Sequence, residues 1–248
     1  YSGFGVLCKD GDNGFISVNV TGGTEVYTYS WTADNGFTSS EEDISNLSAG
    51  IYTLVVTDQN NCVNDSTVIE ITEPEGIEIN YTQSNYTDFG VSCYGASDGF
   101  IDVTITGGTG NYTYTWTADN GFTASTDDIS NLSAGNYNLS VIDENDCPIT
   151  LDVEITEPDP IEIVFTASNE NGFGVLCNGD SNGSIDVTVT GGTGVYTYSW
   201  TSDNGFTAST DDISNLSAGT YTLVVWDENY NDNQDCTESI TVEITEAE

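Results

Sequence analysis

The sequence predicts an all-β protein in which three β-sandwich domains follow one another and form an elongated rod. Three observations support this fold class. A segment of roughly 85 residues recurs three times, its runs alternate apolar and polar residues, and two cysteines flank a tryptophan in every copy. The repetition is clearest in GGTEVYTYSW at 22–31, GGTGNYTYTW at 107–116 and GGTGVYTYSW at 191–200.

The copies place the domain boundaries at two links that contain proline. The domains are expected to cover 1–75, 76–159 and 160–248, with links at EPEG and EPDP. Proline restricts the backbone, so we expect little slack between neighbouring domains; the prolines concerned are Pro74, Pro158 and Pro160. The first domain begins at YSGFGVLC without a counterpart of IEINYT, and both ends of the sequence look cut from a longer array.

The strands of the second domain are predicted from five alternating runs: IEINYT, FIDVTITG, YTYTWTA, YNLSVID and ITLDVEIT. Asp-Gly and Asn-Gly pairs lie between runs, where glycine adopts the positive φ of a tight turn. Six to eight short strands per domain, with a tryptophan between two cysteines, favour a sandwich of immunoglobulin-like type. The LSAGxY motif resembles a tyrosine corner, so Tyr52, Tyr137 and Tyr221 are expected to tie down the loop entering their strand.

The aromatic residues of YTYSW share one face of their predicted strand. Side chains alternate between faces, which places Tyr196, Tyr198 and Trp200 on one side. Because the pattern keeps its register in all three copies, we interpret these residues as core. A stacking platform for sugar rings is the alternative.

The six cysteines predict one disulfide inside each domain. Their even number, their regular placement and an acidic composition of extracellular type favour Cys8–Cys62, Cys93–Cys147 and Cys177–Cys236. Closing such a loop would stabilise a small domain by ~4 kcal/mol in the chain-entropy model. Metal binding by the thiols is the alternative, although no CxxC pair is present. Disulfides imply an oxidising compartment.

The charge and the missing residue types exclude several classes of function. The chain has 41 acidic residues and a single basic one, Lys9, for a formal net charge of -40. Nucleic acid and anionic membrane surfaces attract cationic proteins, so we expect neither as a partner. Histidine is absent, which removes the imidazole base and the histidine-containing zinc site, and no apolar run reaches the ~20 residues of a membrane span. We expect no enzyme activity, paired carboxylates being the one hydrolytic chemistry left open.

Acidic residues recur at fixed positions of the copies and are candidate calcium ligands. Calcium takes carboxylate and loop carbonyl oxygens, and extracellular modules bind it with Kd around 10⁻⁴ to 10⁻³ M. A solvated acidic surface is the alternative, since no segment completes an EF-hand loop. No cofactor is required on either interpretation. The candidate ligands are Asp58, Asp143, Asp227, Glu73 and Glu157.

The ordered motifs resemble those of the SprB repeat, found in tandem in giant surface adhesins of gliding and other Bacteroidetes bacteria. The resemblance covers essentially all three copies and rests on a cysteine, a DG or NG turn, TGGTGxYTYxW, ISNLSAGxYxLxVxD, a second cysteine and VEITEP. It implies a protein of the bacterial cell surface, exported by type IX secretion and used in attachment and gliding. The family pattern assigns no ligand to individual repeats.

The leading hypothesis is therefore a structural segment of an extracellular stalk or filament that mediates attachment, gliding or contact with prey cells. Its expected partners are neighbouring repeats of a longer chain and, with bridging cations, other copies in a filament or hook. The alternative is that the repeats bind glycans or surface ligands themselves. Trp226 is its candidate residue, because it replaces Thr57 and Ile142 of the other copies beside a lengthened loop. A hydrolase lacks any recognisable set of active-site residues.

Overall fold

The computed structural model describes residues 3–24, 26–228 and 236–247. The described chain consists of β-strands joined by turns and loops, and it contains no helix long and apolar enough to cross a membrane. The strands are, in order, β1 (Gly14–Ile16), β2 (Thr28–Ala33), β3 (Thr38–Ser39), β4 (Ile44–Leu47), β5 (Gly50–Thr57), β6 (Thr67–Ile71), β7 (Glu78–Gln83), β8 (Gly99–Thr106), β9 (Thr113–Ala118), β10 (Thr123–Ala124), β11 (Ile129–Leu132), β12 (Gly135–Ile142), β13 (Pro148–Ile155), β14 (Glu162–Ala167), β15 (Gly183–Thr190), β16 (Tyr196–Ser202), β17 (Thr207–Ala208), β18 (Ile213–Leu216), β19 (Gly219–Asp227) and β20 (Thr237–Ile244).

The second and third repeats have the same two-sheet architecture. In the second, β7-β8-β11 form a three-stranded sheet and β10-β9-β12-β13 a four-stranded sheet. In the third, β14-β15-β18 and β17-β16-β19-β20 are their counterparts. All strand pairs are antiparallel, and side chains from both sheets meet in one buried core per repeat. The predicted all-β fold of tandem immunoglobulin-like sandwiches is confirmed.

The first repeat has one complete sheet and one reduced sheet. Its four-stranded sheet, β3-β2-β5-β6, matches those of the other repeats, whereas its second sheet contains only β1 and β4. In the second repeat the edge strand β7 pairs along β8, with Ile79 opposite Ile105 and Tyr81 opposite Val103. The described residues of the first repeat include no equivalent of β7, and β1 is correspondingly short.

Alternation along each strand explains which residues enter the cores. In β12, Tyr137, Leu139 and Val141 are buried, while the intervening Asn138 and Ser140 are not. Successive side chains of a strand point to opposite faces, so this pattern buries one face against the partner sheet. Each repeat has its own cluster of buried residues, and the predicted domain boundaries near 75 and 159 stay a prediction.

The tryptophans lie at the centre of these cores. Trp31, Trp116 and Trp200 are at most 1% exposed, and each indole N–H donates to a backbone carbonyl oxygen, that of Glu41, Thr126 or Thr210, at 3.0 to 3.1 Å. The core interpretation is therefore confirmed for tryptophan. Tyr196 and Tyr198 are half-buried and pack against the same cluster, with their rings edge-on at 6.4 Å.

The predicted tyrosine corners are present. The buried hydroxyls of Tyr52, Tyr137 and Tyr221 each donate to the carbonyl four residues upstream at 2.8 Å. An asparagine of the Asp-Asn-Gly turn donates to the same hydroxyl, as Asn120 does to Tyr137 at 3.1 Å. Two loops at one end of the sandwich are thereby tied to the core.

Candidate functional site: the junctions between repeats

The disulfides of this protein join neighbouring repeats. Cys8 is bonded to Cys147 and Cys93 to Cys236, with Cα–Cα distances of 5.7 and 5.4 Å. In both cases the first cysteine of one repeat is bonded to the second cysteine of the next. The predicted pairing inside each domain, Cys8–Cys62, Cys93–Cys147 and Cys177–Cys236, is therefore wrong. Cys62 and Cys177 are free, exposed thiols.

The two cysteines of one repeat cannot meet because they lie at opposite ends of the sandwich. The loop that carries Cys93 is held at the end of β13, where the Gly90 N–H donates to the Thr156 carbonyl at 2.9 Å. Cys147 directly precedes the start of β13. Eight residues of strand at ~3.3 Å each put about 25 Å between these points, whereas a disulfide needs Cα atoms within ~7 Å.

A glutamate holds each first-cysteine loop against the end of its own repeat. The Glu73 carboxylate accepts from the Asp10 N–H at 2.7 Å, and Glu157 accepts from Gly95 at 2.7 Å. The third repeat has the same bond, from Gly179 to Glu246 at 2.8 Å. Because this hydrogen bond recurs, the loop places its cysteine at the same end of the repeat in all three copies.

An aspartate organises the opposite end of each repeat, beside the second cysteine. Asp143 is 5% exposed and accepts from the Thr109 N–H, the Thr109 hydroxyl, the Asn145 N–H and the Cys147 N–H at 2.9 to 3.0 Å. Burial raises the pKa of Asp143, but the donors from Cys147 and Thr109 outweigh it and leave that pKa below its usual value.

The equivalent aspartates of the other repeats also accept hydrogen bonds from the threonine of the Gly-Gly-Thr loop. In the first repeat, hydrogen bonds from the backbone N–H groups of Thr24 and Cys62 lower the pKa of Asp58 to about 2. In the third, Asp227 is 4% exposed and accepts from the N–H and hydroxyl of Thr193. These aspartates therefore join the Gly-Gly-Thr loop to the hairpin that carries the second cysteine.

The link between two repeats docks on the Gly-Gly-Thr loop. The Gly108 N–H donates to the Glu75 carbonyl at 2.8 Å, and Gly192 does the same to Asp159 at 2.8 Å. Gly107 has a φ of 76°, and a Cβ there would lie 1.9 Å from the Gly76 carbonyl oxygen. Glycine is required at this position because the backbone of the link occupies the space of any side chain.

The docking glycines Gly107 and Gly191 are functional residues that the sequence interpretation passed over. Gly191 has the same surroundings, because a Cβ added there would lie 1.9 Å from the Pro160 carbonyl oxygen. Their signal was present as the GG that recurs in all three copies of the GGTxxYTYxW motif, but the sequence analysis gave this pair no structural role. A turn needs positive φ, whereas this glycine also makes room for a neighbouring chain segment.

Polar contacts and small clefts complete each junction. Asn145 donates to the Leu7 carbonyl at 3.2 Å across the first junction, and Thr87 donates to Glu228 at 3.2 Å across the second. The clefts left there are about 220 and 120 Å³, and each is lined by its disulfide, its proline link and the hairpin aspartate. Each junction therefore has two covalent connections, the peptide link and the disulfide.

The predicted calcium ligands fall into two structural roles and stay a prediction as ligands. Asp58, Asp143 and Asp227 bind loop donors, and Glu73 and Glu157 bind the cysteine loops. In the part of the chain that the structure describes, no group of three or more acidic or cysteine side chains is placed to hold a metal ion.

Trp226 lies in β19 at the edge of the lengthened loop. It pairs with Thr197 of β16 and Thr237 of β20, is half-buried, and borders a cleft of about 390 Å³ with Asp227 and Glu228. The loop itself, 229–235, lies outside the described residues. The predicted role of Trp226 in ligand binding therefore stays a prediction.

Comparison with models of known families gives one match in each of the three repeats. Three segments, 6–36, 90–121 and 175–205, match the family model of the SprB repeat. Each of the three repeats therefore contains a segment similar to the SprB repeat. Each matched segment runs from the first-cysteine loop through the Gly-Gly-Thr loop to the Asp-Asn-Gly turn, so it includes both loops that meet at junctions. A comparison with curated protein sequences gives no significant match.

Several solved structures resemble this chain at low similarity. An amphioxus IgVJ-C2 molecule is 16% identical, with a TM-score of 0.30 over 60% of this chain and 98% of its own. Extracellular domains 3–5 of Drosophila OTK are 13% identical, with a TM-score of 0.28 over 97% and 94%. A Ca²⁺-stabilised adhesin that helps an Antarctic bacterium reach out and bind ice is 14% identical, with a TM-score of 0.38 over 97% and 70%. At these values the likeness carries no functional argument.

Proposed function

We propose that this chain is a section of the extracellular stalk of a bacterial surface adhesin, where disulfide-linked SprB repeats keep neighbours in line and carry tension. The supporting observation is that both junctions of the chain are crossed by a peptide link and a disulfide. A single flexible link lets two domains reorient freely, whereas two connections at separate points oppose bending about the junction.

The overlap of the two disulfides limits how far the chain extends under force. Between Cys8 and Cys236 the shortest covalent path crosses to Cys147, returns through the second repeat to Cys93 and crosses again. That path has about 54 residues and spans at most ~190 Å at ~3.5 Å per residue. Without disulfides the same two points are separated by about 228 residues, or ~800 Å of extended chain.

A single-molecule stretching experiment on the full chain tests this proposal. Handles attached at the two termini would be pulled under oxidising conditions and again after reduction. We expect the extension between Cys8 and Cys236 to stop near ~190 Å when oxidised and to approach ~800 Å when reduced. Equal extension in both states would refute a tension-limiting role. The variant with Cys62→Ser and Cys177→Ser is the matched control and should behave as the unmodified chain.

The finer parts of the proposal concern location and use. SprB repeats and disulfides support an extracellular position, and we extend this to display on a bacterial cell surface after type IX secretion, with use in attachment or gliding. Antibodies against the purified chain should label intact cells of the source organism. Labelling that appears only after lysis would overturn the surface location. Lateral packing into a filament or hook stays a prediction.

A second candidate function is ligand binding near Trp226. The half-buried indole and the concave surface next to it form an arrangement in which a sugar ring could stack. Binding to a glycan array, compared between the unmodified chain and Trp226→Thr, tests this candidate. Threonine is the residue that the first repeat has at this position, Thr57, which makes the variant a natural control for folding.

A further inference from the structure

The first repeat has an open cleft where the other two repeats receive the end of a preceding repeat. This cleft, of about 550 Å³, is lined by Val18, Val20, Val56, Asp58 and Cys62 among others. The corresponding clefts of the second and third repeats measure about 220 and 120 Å³. In the second repeat the edge strand β7, the link and the first-cysteine loop of the preceding repeat lie over the corresponding residues.

The glycine that corresponds to the docking glycines is uncovered in the first repeat. Gly22 is the counterpart of Gly107 and Gly191, and its φ of 90° is similar. A Cβ on Gly22 would meet nothing within 4 Å, whereas at the other two positions it would collide with a link carbonyl. Gly22 thus has the residue type and the backbone conformation of a docked glycine, and none of the described residues occupies the position that the link carbonyl has at Gly107.

The half-buried apolar residues of this cleft correspond to residues that pair with an edge strand in the second repeat. Val18 and Val20 are equivalent to Val103 and Ile105, which pair with the edge strand β7. Ile77, directly before that strand, lies against Gly108. An additional strand with its link would extend β1 and bury the cleft.

The third repeat presents the complementary half. Its first-cysteine loop is held by Glu246 in the way that Glu73 and Glu157 hold theirs, and it carries the free thiol of Cys177. Leu176 is 60% exposed, while its counterpart Ser92, at the second junction, is fully buried. The first-cysteine loop of the third repeat is therefore held like its counterparts, but its cysteine and Leu176 are exposed.

We infer that Cys62 and its cleft form a docking and disulfide site for the Cys8-type loop of a preceding SprB repeat, and that Cys177 is bonded in turn to the second cysteine of a following repeat. The occupant is an adjoining repeat of the same polypeptide, because the edge strand that the cleft lacks is continuous with the link in both occupied junctions. The inference rests on the proposed function in one respect, that further repeats adjoin these three.

The bond forms by thiol–disulfide exchange, with a glutathione-type disulfide as oxidant. The thiolate of one cysteine attacks the oxidant and releases one glutathione thiolate, which leaves a mixed disulfide. The second cysteine thiolate attacks the protein sulfur of that mixed disulfide and releases the second glutathione. Two cysteine thiols are thereby oxidised, one glutathione disulfide is reduced, and the two protons end on the glutathione thiols.

The chain itself supplies the test. Tyr1 is equivalent to Tyr86, so residues 1–85 can be placed ahead of Tyr1 without changing the repeat spacing. This four-repeat chain would be folded with oxidised and reduced glutathione, alkylated, and mapped by mass spectrometry without reduction. We expect a disulfide between the added Cys8 and the original Cys62, and loss of nearly all alkylation at that Cys62. Amide exchange at Val18 and Val20 should slow by at least tenfold.

Two controls make the outcome decisive. With the added Cys8 replaced by serine, the original Cys62 should again be alkylated while the slowed exchange at Val18 and Val20 persists. A Cys62 that stays reactive in the four-repeat chain, with Cys8–Cys147 and Cys93–Cys236 intact, would overturn this inference and leave the proposed function standing. Loss of those two disulfides as well would count against both. Formation of Cys62–Cys177 bonds between copies of the unextended chain, at the same yield, would overturn the assignment of the occupant.

Discussion

Removing the disulfide between Cys8 and Cys147 should destabilise the first repeat, although Cys147 lies in the second repeat. The double variant Cys8→Ser, Cys147→Ser deletes a bond that closes a loop of 139 residues. In the chain-entropy model a loop of that size corresponds to about 5 kcal/mol. When the second repeat stays folded, the loop that the bond closes is the first repeat alone, about 70 residues, which corresponds to about 4 kcal/mol.

Urea unfolding with repeat-resolved hydrogen exchange measures this effect. A domain of this size has an m-value of about 1 to 3 kcal/mol/M, so the midpoint of the first repeat should fall by about 1 to 4 M. The second repeat, which keeps its bond to the third, should change less. Exchange read on peptides from each repeat separates the two effects.

The matched control is the double variant Cys62→Ser, Cys177→Ser, which removes two exposed free thiols. Its stability should stay within about 0.5 kcal/mol of the unmodified protein. Disulfides inside each repeat would instead make this control as destabilising as the first variant. That result, or an unchanged midpoint for the Cys8 and Cys147 variant, would refute the inter-repeat pairing.

Three further predictions follow from the junction contacts. Gly107→Ala should be more destabilising than Gly22→Ala, with a difference of about 1 kcal/mol or more in the free energy of unfolding. Both substitutions strain a backbone with positive φ, but only the alanine at 107 collides with the link. Differential scanning calorimetry of the two variants measures the difference. The pKa of Asp58 is lowered to about 2, so its contribution to stability is present above about pH 4 and is lost as pH falls through about 2; Asp58→Asn should flatten this part of the unfolding midpoint against pH. At matched ionic strength calcium should raise the thermal midpoint no more than magnesium, since the candidate aspartates already accept loop donors; a calcium-specific rise would establish the predicted site instead.

The strands and core were predictable because their signals are local. Alternation within YNLSVID places Tyr137, Leu139 and Val141 on one face, and this face is the buried one. The tyrosine corner was also predictable from the sequence, because its donor and acceptor are four residues apart. The short strands β4, β11 and β18 were not predicted as strands, because ISNL is too short and too polar to show a period of two.

The candidate site was only half predictable. Six regularly spaced cysteines correctly indicated disulfides, but spacing along the chain does not state which ends of a sandwich the loops occupy. The length of the hairpin β12–β13 decides the pairing. Cys147 lies at its turn and Cys93 near its opposite end, about 25 Å away. The antiparallel pairing of β12 and β13 therefore excludes a disulfide inside the repeat.

The sequence by itself determined the repeat number, the all-β sandwich and the residues of the core, because strand alternation and tight turns depend on neighbours within a few positions. Only the tertiary structure decided that Cys8 belongs with Cys147 and Cys93 with Cys236, and that Gly107 seats the preceding link. The physical reason is that these contacts join points 139 and 143 residues apart, or loops of two different domains, whose proximity is set by strand length and by the way that successive sandwiches meet.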